Sequence, residues 1–309
     1  MSDLAVNITD LHKVYKEGVV ALKGINLQVP KGQFMGLLGP NGAGKTTTIG
    51  ITTGLIRPTS GSVTVMGYDV VTDYRQARSA IGLAAQELNF DWFFDLETLM
   101  RQQAGYYGVP ADVARPRAAR LLDEFGLGEK KKVKPRELSG GMKRRFQIAR
   151  SLIHDPDILI LDEPTAGVDV ELRHMLWDYL TRLNGDGKTI ILTTHYIEEA
   201  EKLCERVAII DDGEIVTEGT PQELVASMNS DSLVIEVAGN GAEAEASLEG
   251  YEVTRSDNEL TISTPQPELQ IAEVANRVTA AGAMLKDVKI RRATLEDVFM
   301  QITGHSLDE

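Results

Sequence analysis

Cysteine is nearly missing from this chain, with Cys204 the one residue of its kind among 309. A single thiol cannot build an internal disulfide framework, and its place in the helical pattern Ile197 to Arg206 reads as a small core residue. Long apolar runs are missing as well: none approaches the roughly twenty residues that span a bilayer. Met1 to Lys16 has no signal-peptide character, so the expectation is a cytoplasmic protein. Positive charge is also short, with 32 Lys and Arg against 46 Asp and Glu and a net charge of −14. That balance argues against a dedicated nucleic-acid binder. The acidity gathers late, since residues 231–309 hold fifteen Asp and Glu against six Lys and Arg, a net −9. One basic segment stands apart, Lys130-Lys131-Lys132-Val133-Lys134-Pro135-Arg136 followed by Lys143-Arg144-Arg145. It reads as a solvated loop and helix face, with weak attraction to anionic lipid as the alternative.

What is present begins with Gly39-Pro40-Asn41-Gly42-Ala43-Gly44-Lys45-Thr46. A glycine, a four-residue spacer and Gly-Lys-Thr fit the phosphate-binding loop. The apolar run Phe34 to Leu38 before it reads as a buried strand, and Thr47 onward as a helix start. Glycine lets successive N–H groups turn inward around phosphate oxygens, and the helix N-terminus adds partial positive charge there. In such a loop Lys45 reaches the β- and γ-phosphates and the Thr46 hydroxyl holds magnesium.

Along the chain, Val6 to Leu11 and Ile25 to Val29 alternate as strands, with Lys13 to Leu22 as their connection. Tyr15 in that connection reads either as a half-buried loop aromatic or as a platform for a purine. Strands are expected at Val63 to Met66 and at Ile81 to Ala85, the latter ending at Gln86. Residues 87–137 change character, with Phe90, Trp92, Phe93 and Phe94 ahead of two helical patterns, and read as a helical insertion. Ser139 is a good N-cap for a helix opening Leu138-Ser139-Gly140-Gly141-Met142. Ile158 to Leu161 is an apolar strand ending in Asp162-Glu163-Pro164. Two carboxylates at the end of a buried strand are costly unless paired or bound to metal. Thr189 to Thr193 is the next buried strand, and His195 follows it. A hairpin at Val207 to Val216 turns on Asp212-Gly213. The polar run Asn229-Ser230-Asp231-Ser232 sets the expected boundary between domains 1–230 and 231–309. Beyond it, four strands and two helices suggest a small α+β unit. Gly239 to Gly250 reads as a connector without chemistry.

In this order, a phosphate loop, Gln86, Leu-Ser-Gly-Gly, an apolar strand ending Asp-Glu, Asp169 and His195 resemble the ATP-binding subunits of ABC transporters over residues 4–228. The closing Arg291-Arg292-Ala293-Thr294-Leu295-Glu296-Asp297-Val298-Phe299 looks like the tail of ABC type-2 exporter ATPases, which serve drug, antibiotic and polysaccharide-type export. The strings from Leu138 to Arg145 and from Thr193 to Ala200 are especially similar to the YadG-like subgroup. The resemblance implies an α/β fold, a mixed sheet core with a helical insertion and a small C-terminal α+β domain, and ATP with Mg2+ as ligands. It implies that Tyr15 stacks on adenine, that Gly39 to Thr47 cradles phosphate, and that Thr46, Gln86 and Asp162 serve the metal. Glu163 matches the general base or water-orienting residue, Gln86 the catalytic residue that senses metal and attacking water, His195 the residue at the γ-phosphate and Asp169 the loop that faces across a dimer. Ser139, Gly140 and Gly141 would complete a twin's site in trans. Met142 departs from the family's glutamine and leaves ribose without a polar side chain there.

The expected activity is ATP hydrolysis that powers export through a separate type-2 permease docked near Phe90 to Phe94. The chain would form a homodimer on ATP binding, bind no nucleic acid and sit on the inner face of the cell membrane. The alternative is a soluble ABC-type ATPase without a permease. One phosphate loop and no long heptad run set aside the two-cassette ribosomal and coiled-coil DNA-repair kinds. A small-molecule kinase would leave Leu-Ser-Gly-Gly unexplained.

Overall fold

Alternation of apolar residues builds the first hairpin. β1 (Leu4–Val14) and β2 (Val20–Pro30) pair antiparallel with Val6 opposite Val29, Ile8 opposite Leu27 and Leu11 opposite Ile25. In this computed structural model, which describes residues 3–16, 18–166, 168–228, 231–239, 241–264 and 266–304, both strands extend into the segment expected as a connection. Only the tip near Tyr15 turns, closed by bonds from Tyr15 N to Val19 O and from Gly18 N to Tyr15 O.

β3 (Phe34–Leu38) is buried at every position and runs into the glycine loop and α1 (Lys45–Thr52). β4 (Ser60–Val65), β5 (Tyr68–Asp69), α2 (Tyr74–Ser79) and β6 (Ile81–Ala84) follow. The insertion holds α3 (Leu96–Tyr106), capped by Asp95, and α4 (Ala111–Glu124). Next come α5 (Gly140–Ser151), β7 (Ile158–Asp162), α6 (Val170–Gly185), β8 (Thr189–Thr194) and α7 (Ile197–Leu203). β9 (Arg206–Asp211), β10 (Glu214–Gly219) and α8 (Pro221–Ser227) close this part. α6 goes beyond the sequence expectation: Asp169 caps it through Leu172 N, and Leu176, Trp177, Tyr179 and Leu180 are its buried side.

Two sheets share one core. An antiparallel sheet runs β2-β1-β4-β5, and a six-stranded sheet runs β10-β9-β3-β8-β7-β6, parallel except for β10. Ile8, Leu27 and Val63 of the first meet Leu37, Ile160 and Ile191 of the second in a single buried cluster. Cys204 is buried as expected, and burial pushes its thiol up. Among the described residues no helix is long and apolar enough to cross a membrane.

The chain divides into two compact units between Pro221 and Gln222, so most of α8 falls in the second. Asn229 and Ser230, in the polar run at the expected boundary, lie outside the described residues. The second unit contains β11 (Ser232–Ala238), α9 (Gly241–Ala246), β12 (Glu252–Ser256), β13 (Glu259–Ser263), α10 (Pro267–Ala280), β14 (Met284–Arg291) and α11 (Leu295–Thr303). Its sheet is antiparallel in the order β12-β13-β11-β14. Leu233, Ile235, Leu260, Ile262, Val274 and Val278 form its core.

One expectation is corrected here. The segment Gly239 to Gly250 is not a bare connector, because α9 lies in it and Ala244 and Leu248 enter that core. Ala and Glu are strong helix formers, and two apolar residues at i and i+4 suffice to seat one short turn. Ala244→Asp would bury an unpaired carboxylate there. Hydrogen exchange should then show β11 and β13 losing about 3 kcal/mol or more of protection; unchanged protection would count against this packing.

Candidate functional site

Four loops leave the C-terminal ends of neighbouring strands in the six-stranded sheet. Gly39 follows β3, Gln86 lies just past β6, Glu163 follows β7 and His195 follows β8. That edge is where open parallel sheets bind ligands. The glycine loop is shaped by close contacts. A Cβ at Gly39 would lie 2.2 Å from Ile210 O, and Gly44, at φ 112°, would press on Leu22 and Ala21. Lys45 is buried, and its Nζ donates to Gly39 O at 2.5 Å and to Pro40 O at 2.9 Å. Burial draws the Lys45 ammonium below its ordinary range, while Glu163 and Asp162 pull it back.

Glu163 is the meeting point. Gln86 Nε2 donates to its Oε2 at 3.0 Å, Lys45 Nζ lies 4.0 Å from its Oε1, and His195 Nδ1 lies 3.3 Å from the same oxygen. The backbone there has φ 49°, a left-handed conformation rare for a residue with a side chain. It is held by Glu163 N, which donates to Thr193 O at 3.0 Å. Asp162 is buried beside it, and its Oδ1 accepts from Thr193 Oγ1 at 2.5 Å. Burial pushes the Asp162 carboxyl up, the Thr193 bond opposes that, and the Glu163 charge adds to it.

Among the described residues no three His, Cys, Asp or Glu side chains gather into a metal cage. The donors expected for a metal are instead one buried carboxylate, a hydroxyl and an amide oxygen, from Asp162, Thr46 and Gln86. All are hard oxygen donors, a set that suits magnesium completed by water and phosphate. The crowding of Asp162 and Glu163 gives a cation something to offset.

The other expected residues lie outside this cluster around Glu163. Tyr15 is half exposed, its hydroxyl 3.3 Å from Thr47 Oγ1 and its ring 4.9 Å from Lys13 Nζ. Ser139 caps α5 by accepting from Met142 N at 3.3 Å, and Ser139 and Gly140 are exposed. Among the described residues no hydrogen bond or ion pair joins Ser139 to Gly141 with the glycine loop. Asp169 is exposed at the start of α6, and Gly167 before it lies outside the described residues.

The basic reading of Lys143-Arg144-Arg145 is corrected for its central residue. Arg144 is buried, 6% exposed, and is not part of a solvated face. Its Nε donates to Pro164 O at 2.8 Å, Nη1 to Ala85 O at 2.9 Å and Nη2 to Asp162 O at 2.8 Å and also to Glu163 O. Nη1 also donates to Gln147 Oε1 at 2.8 Å, and Gln147 Nε2 donates to Ala85 O and Glu87 O. The signal was there in α5: Arg144, Gln147, Ile148 and Ser151 fall at i, i+3, i+4 and i+7, one face of a helix. In the 87–94 segment Phe90 is buried against Phe146, at 5.3 Å between ring centroids. Trp92, Phe93 and Phe94 are 42%, 81% and 41% exposed.

The chain is similar to known proteins along its whole length. The ABC transporter family pattern matches residues 22–166, and that of the ATP-binding protein DrrA1-3-like C-terminal domain matches residues 219–303. The Nod factor export ATP-binding protein I of Burkholderia orbicola is 38% identical over 100% of both chains. The daunorubicin resistance ATP-binding protein DrrA3 of Streptomyces coeruleorubidus is 38% identical over 98% of this chain and 97% of its own. An ATP-binding subunit of an ABC transporter superposes with a TM-score of 0.68 at 28% identity, over 72% of this chain and 93% of its own. A dimeric ATP-binding cassette in a post-hydrolysis state, bound to ADP and Pi, gives a TM-score of 0.65 at 31% identity, over 70% and 98%.

Arg144→Ala would strand several carbonyls and empty a buried site. Chemical denaturation should show a loss of about 3–5 kcal/mol; a loss below about 1 kcal/mol would mean that the guanidinium is not holding these loops.

Proposed function

Because this chain belongs to the ATP-binding subunits of ABC transporters, we propose that it powers export through a separate type-2 membrane permease. The chain hydrolyses ATP. The observation that carries the reading of its site is the convergence of Lys45, Gln86 and His195 on the Glu163 carboxylate.

Phosphoryl transfer to water is largely positioning and charge neutralisation. Lys45 exchanges the carbonyls of Gly39 and Pro40 for β- and γ-phosphate oxygens, and the loop from Gly39 to Thr47 supplies backbone N–H donors. Magnesium neutralises phosphate charge, and Thr46, Gln86 and Asp162 are the residues that would hold it. Glu163 orients the attacking water and accepts its proton, His195 holds the γ-phosphate, and Tyr15 offers its ring to adenine. Ser139 to Gly141 of a second copy complete the site, with Asp169 at the same junction. The exposure of Ser139, Gly140 and Asp169 supports this division, as do the dimeric cassettes among the structural relatives. The names of the sequence relatives, for Nod factor export and daunorubicin resistance, support an export role. The subunit then works in the cytoplasm, held at the inner face of the membrane by its permease.

Glu163→Gln keeps the shape of the site and removes the base. ATP binding should persist while turnover falls by about a hundredfold or more, and size measurements should reveal an ATP-trapped dimer. Steady-state hydrolysis near the wild-type rate would rule out the assignment.

The permease is proposed to dock on Trp92, Phe93 and Phe94, which monomers seldom leave exposed together. Phe90 is the internal anchor of that segment, with Arg150 5.0 Å over its ring. Alanine at Trp92, Phe93 or Phe94 should leave thermal stability and ATP binding intact, and at least one should cost about 2 kcal/mol of permease affinity. Co-purification from mild detergent reads this out. If all three variants retain the permease fully, docking lies elsewhere.

A further inference from the structure

Glu199 takes no part in the chemistry assigned above, yet it is fully buried in the first turn of α7, just beyond His195. Its Oε1 accepts a hydrogen bond from Trp177 Nε1 of α6 at 3.1 Å. Thr194, at the end of β8, and Thr165, just past Glu163, bring hydroxyls up to the same carboxyl. Neither Glu199 Oε2 nor Thr165 Oγ1 completes a hydrogen bond, although both atoms are buried. No cation is paired with this carboxyl among the described ion pairs. Arg173, the charge of α6 that acts on it, has its guanidinium over the Tyr196 ring at 5.1 Å and 3.9 Å from Glu198.

A carboxyl in such a place is costly, and an apolar residue of similar size would serve packing better. What it touches is specific. α6 is capped by Asp169, Thr165 follows the Glu163 turn, and Thr194 precedes His195. Three segments that bear proposed site residues therefore meet at one side chain. Burial pushes its carboxyl up, and the Thr194, Trp177 and Thr165 donors pull it back.

We propose that Glu199 is a positioning residue for ATP hydrolysis, its buried carboxyl holding α6, the Thr165 turn and the His195 loop in the register that aligns Glu163 with His195. The Thr165 hydroxyl, buried beside this carboxyl, is the group through which the turn after Glu163 is held. This rests on the roles proposed above for Glu163 and His195.

The test uses the full chain and compares Glu199→Leu, Glu199→Gln, Thr165→Val and the Leu–Val double variant, with Glu163→Gln as a separate arm. Glu199→Leu should stay folded with an unchanged KM for ATP while kcat falls about tenfold or more. Glu199→Gln, whose amide still bonds Trp177 and Thr165, should stay within about threefold of wild type. Thr165→Val should match the leucine variant, and the double variant should be no worse than either single one, as for groups acting as a unit. Wild-type kcat in Glu199→Leu, or an equal loss in Glu199→Gln, overturns the proposal. If Glu199→Leu does not fold, Thr165→Val decides: lowered kcat at constant KM supports the role, and wild-type kcat overturns it. Normal turnover by Glu163→Gln would instead bring down the underlying reading of the site.

Discussion

Arg144 is the constraint on which the catalytic edge depends. Parallel strands that stop at a ligand-binding edge leave carbonyls without ladder partners, and buried carbonyls need donors. One planar guanidinium supplies them for Ala85, Asp162, Glu163 and Pro164 together. A lysine could not, because its ammonium lacks the fixed fork that reaches several acceptors at set angles. Burial works against the Arg144 charge, and Asp162, then Glu163, favour it, so cation and acidic pair hold one another in place. Since Arg144 belongs to α5, the helix capped by Ser139 is bonded directly to the loops of Gln86 and Glu163. A shift of that helix cannot leave those loops behind.

The same fastening explains how Glu163 keeps an unusual backbone. A side-chain-bearing residue at φ 49° costs about 1–3 kcal/mol and persists only where its surroundings over-determine it. Here Glu163 N is bonded to Thr193 and Glu163 O to Arg144. The strained turn aims the carboxylate back toward Lys45, Gln86 and His195 instead of along the strand. Thr193 serves twice, since its hydroxyl also donates to Asp162. Two adjacent carboxylates thus acquire different neighbours: Asp162 is tied to the strand beside it, and Glu163 faces the site.

The loops that end strands were legible because short polar motifs interrupt apolar runs, and that contrast survives in a lone sequence. Gly39 to Thr46 and the Asp162-Glu163 pair stand out in this way, whereas Gln86 and His195 took their meaning from the motif order of the family that the chain resembles. The helix α9 was hidden because glycine at both ends masked two apolar residues. Arg144 was hidden for a different reason. Charge alone assigns a basic triplet to solvent, and only the helical spacing of Arg144 with Gln147, Ile148 and Ser151 marks a buried face. Phe90 and its exposed neighbours could be named as a cluster, but which one turned inward was settled by Phe146, a residue more than fifty positions away. Glu199 had no signal beyond its place in an acidic helix start, since a buried carboxyl reads like an exposed one until its neighbours are known.

Electrostatics then decide what this edge can accept. Lys45 and Asp162 are both pressed toward their neutral forms by burial; Glu163 and Asp162 oppose this at Lys45, whereas at Asp162 the Thr193 bond opposes it and the Glu163 charge adds to it. A buried group of charges balanced in this way is sensitive to anything inserted among them. An anion alone would favour Lys45 but repel Asp162 and Glu163; a divalent cation alone would do the reverse. In the site proposed above, a polyphosphate carrying magnesium would satisfy both sides at once, with Lys45 and the loop N–H groups serving the phosphate and Asp162 among the residues that would hold the metal. On that proposal the charge balance would favour the metal–nucleotide pair over either component, before any contact to base or ribose is counted.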